Sequence, residues 1–175
     1  MRRVRYGVAV SLDGFIAGPN GEIDWILMDP EIDFGALFAQ FDTMLIGRKT
    51  FDAMAGPGGG EMPGVRSVVF SSRLRQEDHP GVTIVSSDAA GFVARLKAES
   101  GKDIAIFGGG ALFRSLLDAG LVDGVEVSVI PVLLGAGVPL MPGPYRPVPL
   151  TLTGHRVLPT TGTLMLEYAV ARSGG

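Results

Sequence analysis

I104-A-I-F-G-G-G-A-L-F113 is the stretch on which the fold turns. The apolar run from Ile104 to Phe107 has the length of a short buried strand. Gly108, Gly109 and Gly110 follow with no spacer, and Ala111 to about Ala119 reads as a helix that Gly120 stops. Strand, glycine turn and helix in direct succession are the building unit of an α/β sheet. Glycine lets the backbone approach a ligand closely, and a helix start offers N–H groups with no intrahelical partner. A phosphate can be held at such a junction. A tight turn without a ligand uses the same residues, so this junction alone leaves both readings open. It is neither the G-x-x-x-x-G-K-[ST] phosphate loop nor the G-x-G-x-x-G dinucleotide fingerprint.

Toward the N-terminus, two more strand ends have the same build. In L45-I-G-R-K-T-F51, Arg48 or Lys49 can pair with a phosphate, and the Thr50 hydroxyl and early helix amides can join. In V69-F-S-S-R73, the two hydroxyls of Ser71 and Ser72 and the guanidinium of Arg73 suit a ribose 2′-phosphate. Read singly, Arg48, Lys49 and Arg73 also fit an ordinary solvated surface. Together they reinforce one another, because ligands of open α/β sheets collect outside the carboxyl ends of the strands.

The remaining segments complete the pattern. Val4, Tyr6, Val8 and Val10 lie in a first strand, and Ser11 to Trp25 reads as a long structured loop. Phe34, Leu37, Phe38 and Phe41 form an apolar stripe that predicts a helix over 32–41. Strands are predicted over 43–47, 66–70, 82–85 and 122–130, with a short helix over 48–54 and a longer one from Ser87 or Asp88 to about Glu99. The glycine-rich segments 56–64 and 131–147 read as loops within the domain. Residues 151–158 and 163–171, joined by Pro159, Thr160, Thr161 and Gly162, predict an antiparallel hairpin. The expected architecture is therefore one α/β domain over residues 1–175. It has a mixed, mostly parallel sheet, helices on both faces and a C-terminal antiparallel hairpin.

Composition narrows the function. A net charge of -3 argues against a nucleic-acid groove. The absence of cysteine excludes disulfides, thiolate nucleophiles and cysteine metal sites. His79 and His155 stand apart and make neither a metal site nor a triad, so no metal is expected. No apolar run reaches membrane-spanning length and no secretory signal pattern is present, so a cytoplasmic location is expected. Acidic candidates gather around Trp25: Asp24, Asp29, Glu31 and Asp33. One of them in an apolar pocket would serve as proton donor or orienting anion; Asp29 or Glu31 also fits the cap or first turn of a helix. Trp25 either stacks on a flat ring or fills the core. Asp13 helps to shape its loop.

The order of these pieces carries a resemblance. V8-A-V-S-L-D-G-F-I-A17, Trp25, L45-I-G-R-K-T-F51, V68-V-F-S-S-R73 and I104-A-I-F-G-G-G-A-L-F113 resemble the dihydrofolate reductase superfamily. L116-L-D-A-G-L-V-D-G-V-E-V-S-V-I-P-V-L-L-G-A-G137 is similar to the reductase domain of bacterial riboflavin biosynthesis and its stand-alone relatives. The resemblance implies a dihydrofolate reductase-like three-layer fold and NADPH as cofactor. Ala9 and Ile16 would line the nicotinamide end. Gly47, Arg48, Lys49 and Thr50 would meet the diphosphate and adenosine side, and Ser71, Ser72 and Arg73 the adenine ribose phosphate. Gly108, Gly109, Gly110, Ala111 and Leu112 would wrap the diphosphate, with Phe107 also in the cofactor site. Glu31, with Asp33 as competitor, would be the acid, and Trp25 and Asp13 would face the substrate. The implied chemistry is dihydrofolate reductase-like hydride transfer to a C=N or C=O carbon of a small heterocycle, with 5-amino-6-(5-phosphoribosylamino)uracil reduction among the activities the resemblance implies; a nucleotide-binding sensor without turnover is the alternative. Asp29 and Pro30 replace the usual Leu-Pro, which argues against folate. No H-x-E zinc signature of a fused deaminase is present. A homodimer is also expected, with the apolar stretch Val125 to Gly137 as the edge that wants cover.

Overall fold

The computed structural model of the chain describes residues 1–54 and 64–171. Its strands are β1 (Val4–Ser11), β2 (Phe15–Ala17), β3 (Phe41–Gly47), β4 (Arg66–Phe70), β5 (Thr83–Val85), β6 (Asp103–Phe107), β7 (Gly124–Ile130), β8 (Val138–Pro139), β9 (Leu150–Leu158) and β10 (Thr163–Val170). The helices are α1 (Phe34–Phe38), α2 (Arg48–Met54), α3 (Ala89–Ala98) and α4 (Gly110–Asp118). Eight strands form one sheet in the order β5-β4-β3-β6-β1-β7-β10-β9. Pairs from β5 through β7 are parallel, whereas β10 runs antiparallel to both β7 and β9. The fold is thus a three-layer α/β arrangement with a C-terminal antiparallel hairpin.

Strand alternation sorts side chains between two cores. Val4, Tyr6 and Val10 of β1, with Leu45 and Ile106, point to α3 and α4, where Val93, Leu96, Leu112, Phe113 and Leu116 cover them. Tyr6 stacks on Phe113 with ring centroids 4.0 Å apart. On the other face Met44, Ile46, Val69 and Ala105 meet Phe51 of α2 and Phe38 of α1. Apolar burial from both sides is what makes the parallel strands read as continuous apolar runs. Among the described residues, no helix is long and apolar enough to cross a membrane.

The structure corrects three expectations. The helix expected over 32–41 is only Phe34–Phe38, because Asp33 caps it, accepting from the Ala36 amide at 2.9 Å, and Phe41 is taken into β3. Two segments read as loops contain short strands: β2 pairs with β8. The stretch beginning at Val125 is no edge, since β7 lies between β1 and β10 and the sheet's edges are β5 and β9. Of the expected loop at 56–64, only Gly64 lies within the described residues.

Candidate functional site

Parallel register carries the glycine junctions to one edge of the sheet. Gly47 pairs with Phe70 across β3 and β4, and Leu45 pairs with Ile106 across β3 and β6. Ser71–Arg73, Gly47–Thr50 and Gly108–Leu112 therefore leave neighbouring strands side by side, with the end of β1 next in the row. At about 4.8 Å per strand, the row from β4 to β1 spans roughly 14 Å.

Two of these junctions touch. A Cβ on Gly47 would lie 3.8 Å from Leu112 Cβ and 3.9 Å from Gly109 Cα. Gly108 and Gly109 have φ of +71° and +86°, the left-handed region that side chains avoid. A Cβ on Gly108 would come within 2.8 Å of Thr50 Cγ2 and 2.9 Å of its Oγ1. Gly108 is thus required by both the turn and Thr50, and Gly109 by the turn. Helix α4 then starts at Gly110 with no side-chain cap from Gly109 and no acidic residue in its first turn. Its leading amides have no side-chain acceptor, and its dipole favours an anion.

The neighbouring junctions differ in what they offer. Ser71 is buried; its Oγ accepts from the amides of Arg73 and Leu74, both at 3.2 Å, which leaves its O–H as a donor. Ser72 and Arg73 are exposed. Arg48 donates to Asp52 one helical turn along, at 2.5 Å. Lys49 lies next to it on α2, and Ile16 packs against the first core.

Beside this edge, a cavity of about 610 Å³ opens on the α1 side of the sheet. Its floor includes Gly7 and Ala9 of β1, Phe107 of β6, Ser128 and Ile130 of β7, and Met165 and Glu167 of β10. Ile26, Leu27, Met28 and Ile32 of the preceding loop, with Phe34, Leu37 and Phe38 of α1, form its roof. Ala9 and Ser128 are direct register partners. The cavity therefore meets the glycine edge at Ala9 and Phe107, the two cofactor candidates that line it.

The acidic candidates are placed elsewhere. Glu31 faces outward, accepting from Arg156 of β9 at 2.8 Å, and Asp33 is the cap of α1. Asp29 is buried and accepts from the Glu31 amide at 2.9 Å, the Thr161 hydroxyl at 2.8 Å and the Thr161 amide at 3.2 Å. The Glu31 amide holds its carboxyl below the usual carboxylate range, with Thr161 adding to the effect against burial. Asp29 thereby ties the roof loop to the β9–β10 turn. Asp13 accepts from Ser11 at 2.6 Å and from the Gly135 amide at 2.7 Å, which lowers its pKa to about 2. It fastens the β1–β2 turn to the 131–137 segment and does not line the cavity. Nor does Trp25, whose indole N–H donates to the Glu22 carbonyl at 3.0 Å. The carboxylates that do line it, Asp123, Glu126 and Glu167, escaped the sequence reading. A period of two on β7 and β10 marks Glu126 and Glu167 as sharing faces with Ser128 and Met165, but only the sheet order shows that this face is the cavity floor.

Comparison with known proteins agrees with this fold. A Bacillus subtilis (strain 168) protein, YyaP, is 33% identical over 183 residues, covering 95% of this chain and 94% of that protein. The crystal structure of a putative riboflavin biosynthesis protein from Shewanella sp. PV-4 superimposes with a TM-score of 0.81 at 25% identity, over 97% of this chain and 99% of that one. Dihydrofolate reductase from Enterococcus faecalis, solved in complex with NADP(H), shares the fold with a TM-score of 0.70 at 19% identity, over 96% of each chain. The RibD C-terminal domain model matches residues 2–164, which takes in every strand up to the start of β10. The chain belongs to the RibD C-terminal domain family.

Proposed function

We propose that this chain, acting as one domain over residues 1–175, is an NADPH-dependent reductase of a C=N or C=O bond in a small heterocyclic substrate. The observation that carries this reading is the meeting of the glycine edge with the cavity at Ala9 and Phe107. A hydride donor bound along the edge and an acceptor held in the cavity would face each other there.

The residues fit an extended dinucleotide. The uncapped start of α4, at Gly109, Gly110, Ala111 and Leu112, would hold the diphosphate, with Gly47 and Gly108 letting α2 and the α4 turn pack closely beneath it. The Ser71 hydroxyl, Ser72 and Arg73 would take the ribose phosphate, with Arg48, Lys49 and Thr50 flanking it. When bound, NADPH supplies the hydride; the protein's part is to position and to exclude water. Ala9 is small enough to let a flat ring lie against β1. Phe107 and the roof residues Phe34, Leu37 and Phe38 shield the reacting carbon from solvent. Ser128, register partner of Ala9, is the hydroxyl placed to orient the substrate there.

One observation favours a second reading, a nucleotide-binding protein without turnover: neither Glu31 nor Asp33 faces the cavity. Turnover separates the two. A screen of heterocyclic imines and carbonyls with NADPH, followed at 340 nm, is expected to find oxidation of the cofactor; NADPH binding without oxidation of cofactor by any of them would favour the second reading.

We further infer a homodimer that forms through β9. Leu150, Leu152 and Val157 of this edge strand are 42%, 51% and 59% exposed. They pair in register with Val170, Tyr168 and Leu164, so they extend the apolar face of the first core past the cover of α3 and α4.

A further inference from the structure

We propose that the cavity takes a flat, apolar-bodied substrate with a cationic or hydrogen-bond-donating edge and no phosphate, and that Glu167 holds that edge. The proposal rests on the cavity being the substrate side of the reductase site.

Charge decides the class. Two arginines, Arg3 and Arg5, line the cavity, and both are engaged. Arg5 donates to Glu126 at 2.5 Å and to Gln40 at 2.9 Å, approaches Asp103 at 3.4 Å, and lies 4.7 Å over the Phe41 ring. Its side chain is only 9% exposed, so the guanidinium cannot swing out to a new partner. Arg3 pairs with the same Asp103 at 3.2 Å. On the same face of the sheet, Arg156 is register partner of Met165, and it is bound to Glu31. A phosphate entering this space would meet a buried Arg5 already matched by Glu126, and would have to displace Asp103 from Arg3 or Glu31 from Arg156, whose side chains are exposed. It would also lie beside the negative charge of Glu167, and like charges within a few ångströms repel.

Glu167 is different from the other carboxylates. Glu126 is its direct cross-strand partner but is matched by Arg5. Glu167 makes no ion pair among the described residues, and its exposed side chain lines the cavity. Gly154 on β9 gives it room: a Cβ there would stand 3.3 Å from Glu167 Oε2. An ionised carboxylate only accepts hydrogen bonds, so its natural partner is an N–H edge, best a cationic one. The apolar roof of Phe34, Leu37 and Phe38 supplies a surface for a flat body. Glu167 stands two strands across and two residues along from Ala9, about 12 Å away, since its partner Glu126 pairs with Gly7.

The test is an amide-detected NMR titration of the full chain without cofactor. Benzamidine provides a flat ring with a cationic N–H edge, and phenyl phosphate the same ring with a phosphate. The expected result is that benzamidine shifts the amides of Gly7, Ala9, Ser128 and Met165. Phenyl phosphate should leave these four unmoved at the same concentration. Glu167→Gln is expected to weaken benzamidine about tenfold or more, the size of a lost charge-assisted bond, and Glu167→Thr, suited to a strand, should do the same. Glu77→Gln, remote on the surface, should not. Cavity binding of phenyl phosphate as tight as that of benzamidine, no binding of benzamidine, or unchanged affinity in the Glu167 variants would each overturn the proposal. NADPH is titrated on the same samples. Glu167-dependent benzamidine binding without NADPH binding keeps this assignment and removes the reductase reading; NADPH binding with benzamidine indifferent to Glu167 does the reverse.

Discussion

Replacing Gly108 by alanine perturbs two things at once, and the structure separates them. The position has φ +71°, where a non-glycine residue costs about 1–2 kcal/mol. The new methyl would also press on Thr50, at 2.8 Å from Cγ2 and 2.9 Å from Oγ1. Overpacking of this kind costs about 1–3 kcal/mol. The sum, about 2–5 kcal/mol, corresponds to roughly 4–20 °C in Tm for a chain of this size. Gly109→Ala has the same backbone problem, at φ +86°, but its nearest neighbours lie at 3.7 to 3.9 Å. It should therefore lose only the backbone part, about 1–2 kcal/mol. Thr50→Ala removes both clashing atoms and leaves only the Cβ of residue 50, which is 3.4 Å from where the new methyl would sit. In the double variant the overpacking part should vanish, giving a coupling of about 1–3 kcal/mol between the two positions. Urea denaturation of the four variants and the wild type measures all these quantities. Equal costs at positions 108 and 109, or additive effects of Gly108→Ala and Thr50→Ala, would refute the close packing of α2 against the β6–α4 turn.

Asp29 should make stability depend on acid. Its pKa is lowered on folding, chiefly by the Glu31 amide, so its contribution is complete above the ordinary carboxylate value and is lost as pH falls through the folded one. Asp29→Ala is expected to be less stable at neutral pH and to lose less on acidification, as read by denaturation at pH 7 and pH 3. Asp52→Ala should change stability by no more than about 0.5 kcal/mol, the size of an exposed i,i+4 pair. If Arg48 serves the cofactor, it should also lower the Kd for NADPH by freeing that guanidinium, whereas Arg48→Ala should raise it; calorimetry reads both. Leu152→Glu places a charge on the apolar face of β9 and is expected to convert a dimer to a monomer in light scattering at unchanged secondary structure. A wild-type monomer, or a variant that stays dimeric, removes β9 as the interface.

What the sequence displayed best was local. The β6–α4 junction was readable because an apolar run, left-handed glycines and a helix start lie within ten residues. The β9–β10 hairpin was readable because Pro159 to Gly162 separates two β-prone runs. Pairings between distant segments were hidden. β2 has three residues and exists through Val138 and Pro139, in a stretch whose glycines and prolines signal a loop. The helix stripe 34, 37, 38, 41 was real as an apolar face, but Phe41 belongs to β3, where the gain is burial against the second core. The surroundings of the acids were hidden for a related reason. Spacing around Trp25 cannot reveal that Asp33 closes a helix turn or that Glu31 finds Arg156, 125 residues away in sequence. Glu126 and Glu167 become visible only when β7 and β10 are set side by side.

The most direct test of the NADPH reading is an amide-detected NMR titration with NADPH, with NADH in parallel. NADPH is expected to bind and to shift the amides of Gly109, Gly110, Ala111 and Leu112 together with those of Ser71 to Arg73, and to bind more tightly than NADH. No binding at millimolar NADPH, or binding that leaves the start of α4 unmoved, would contradict it.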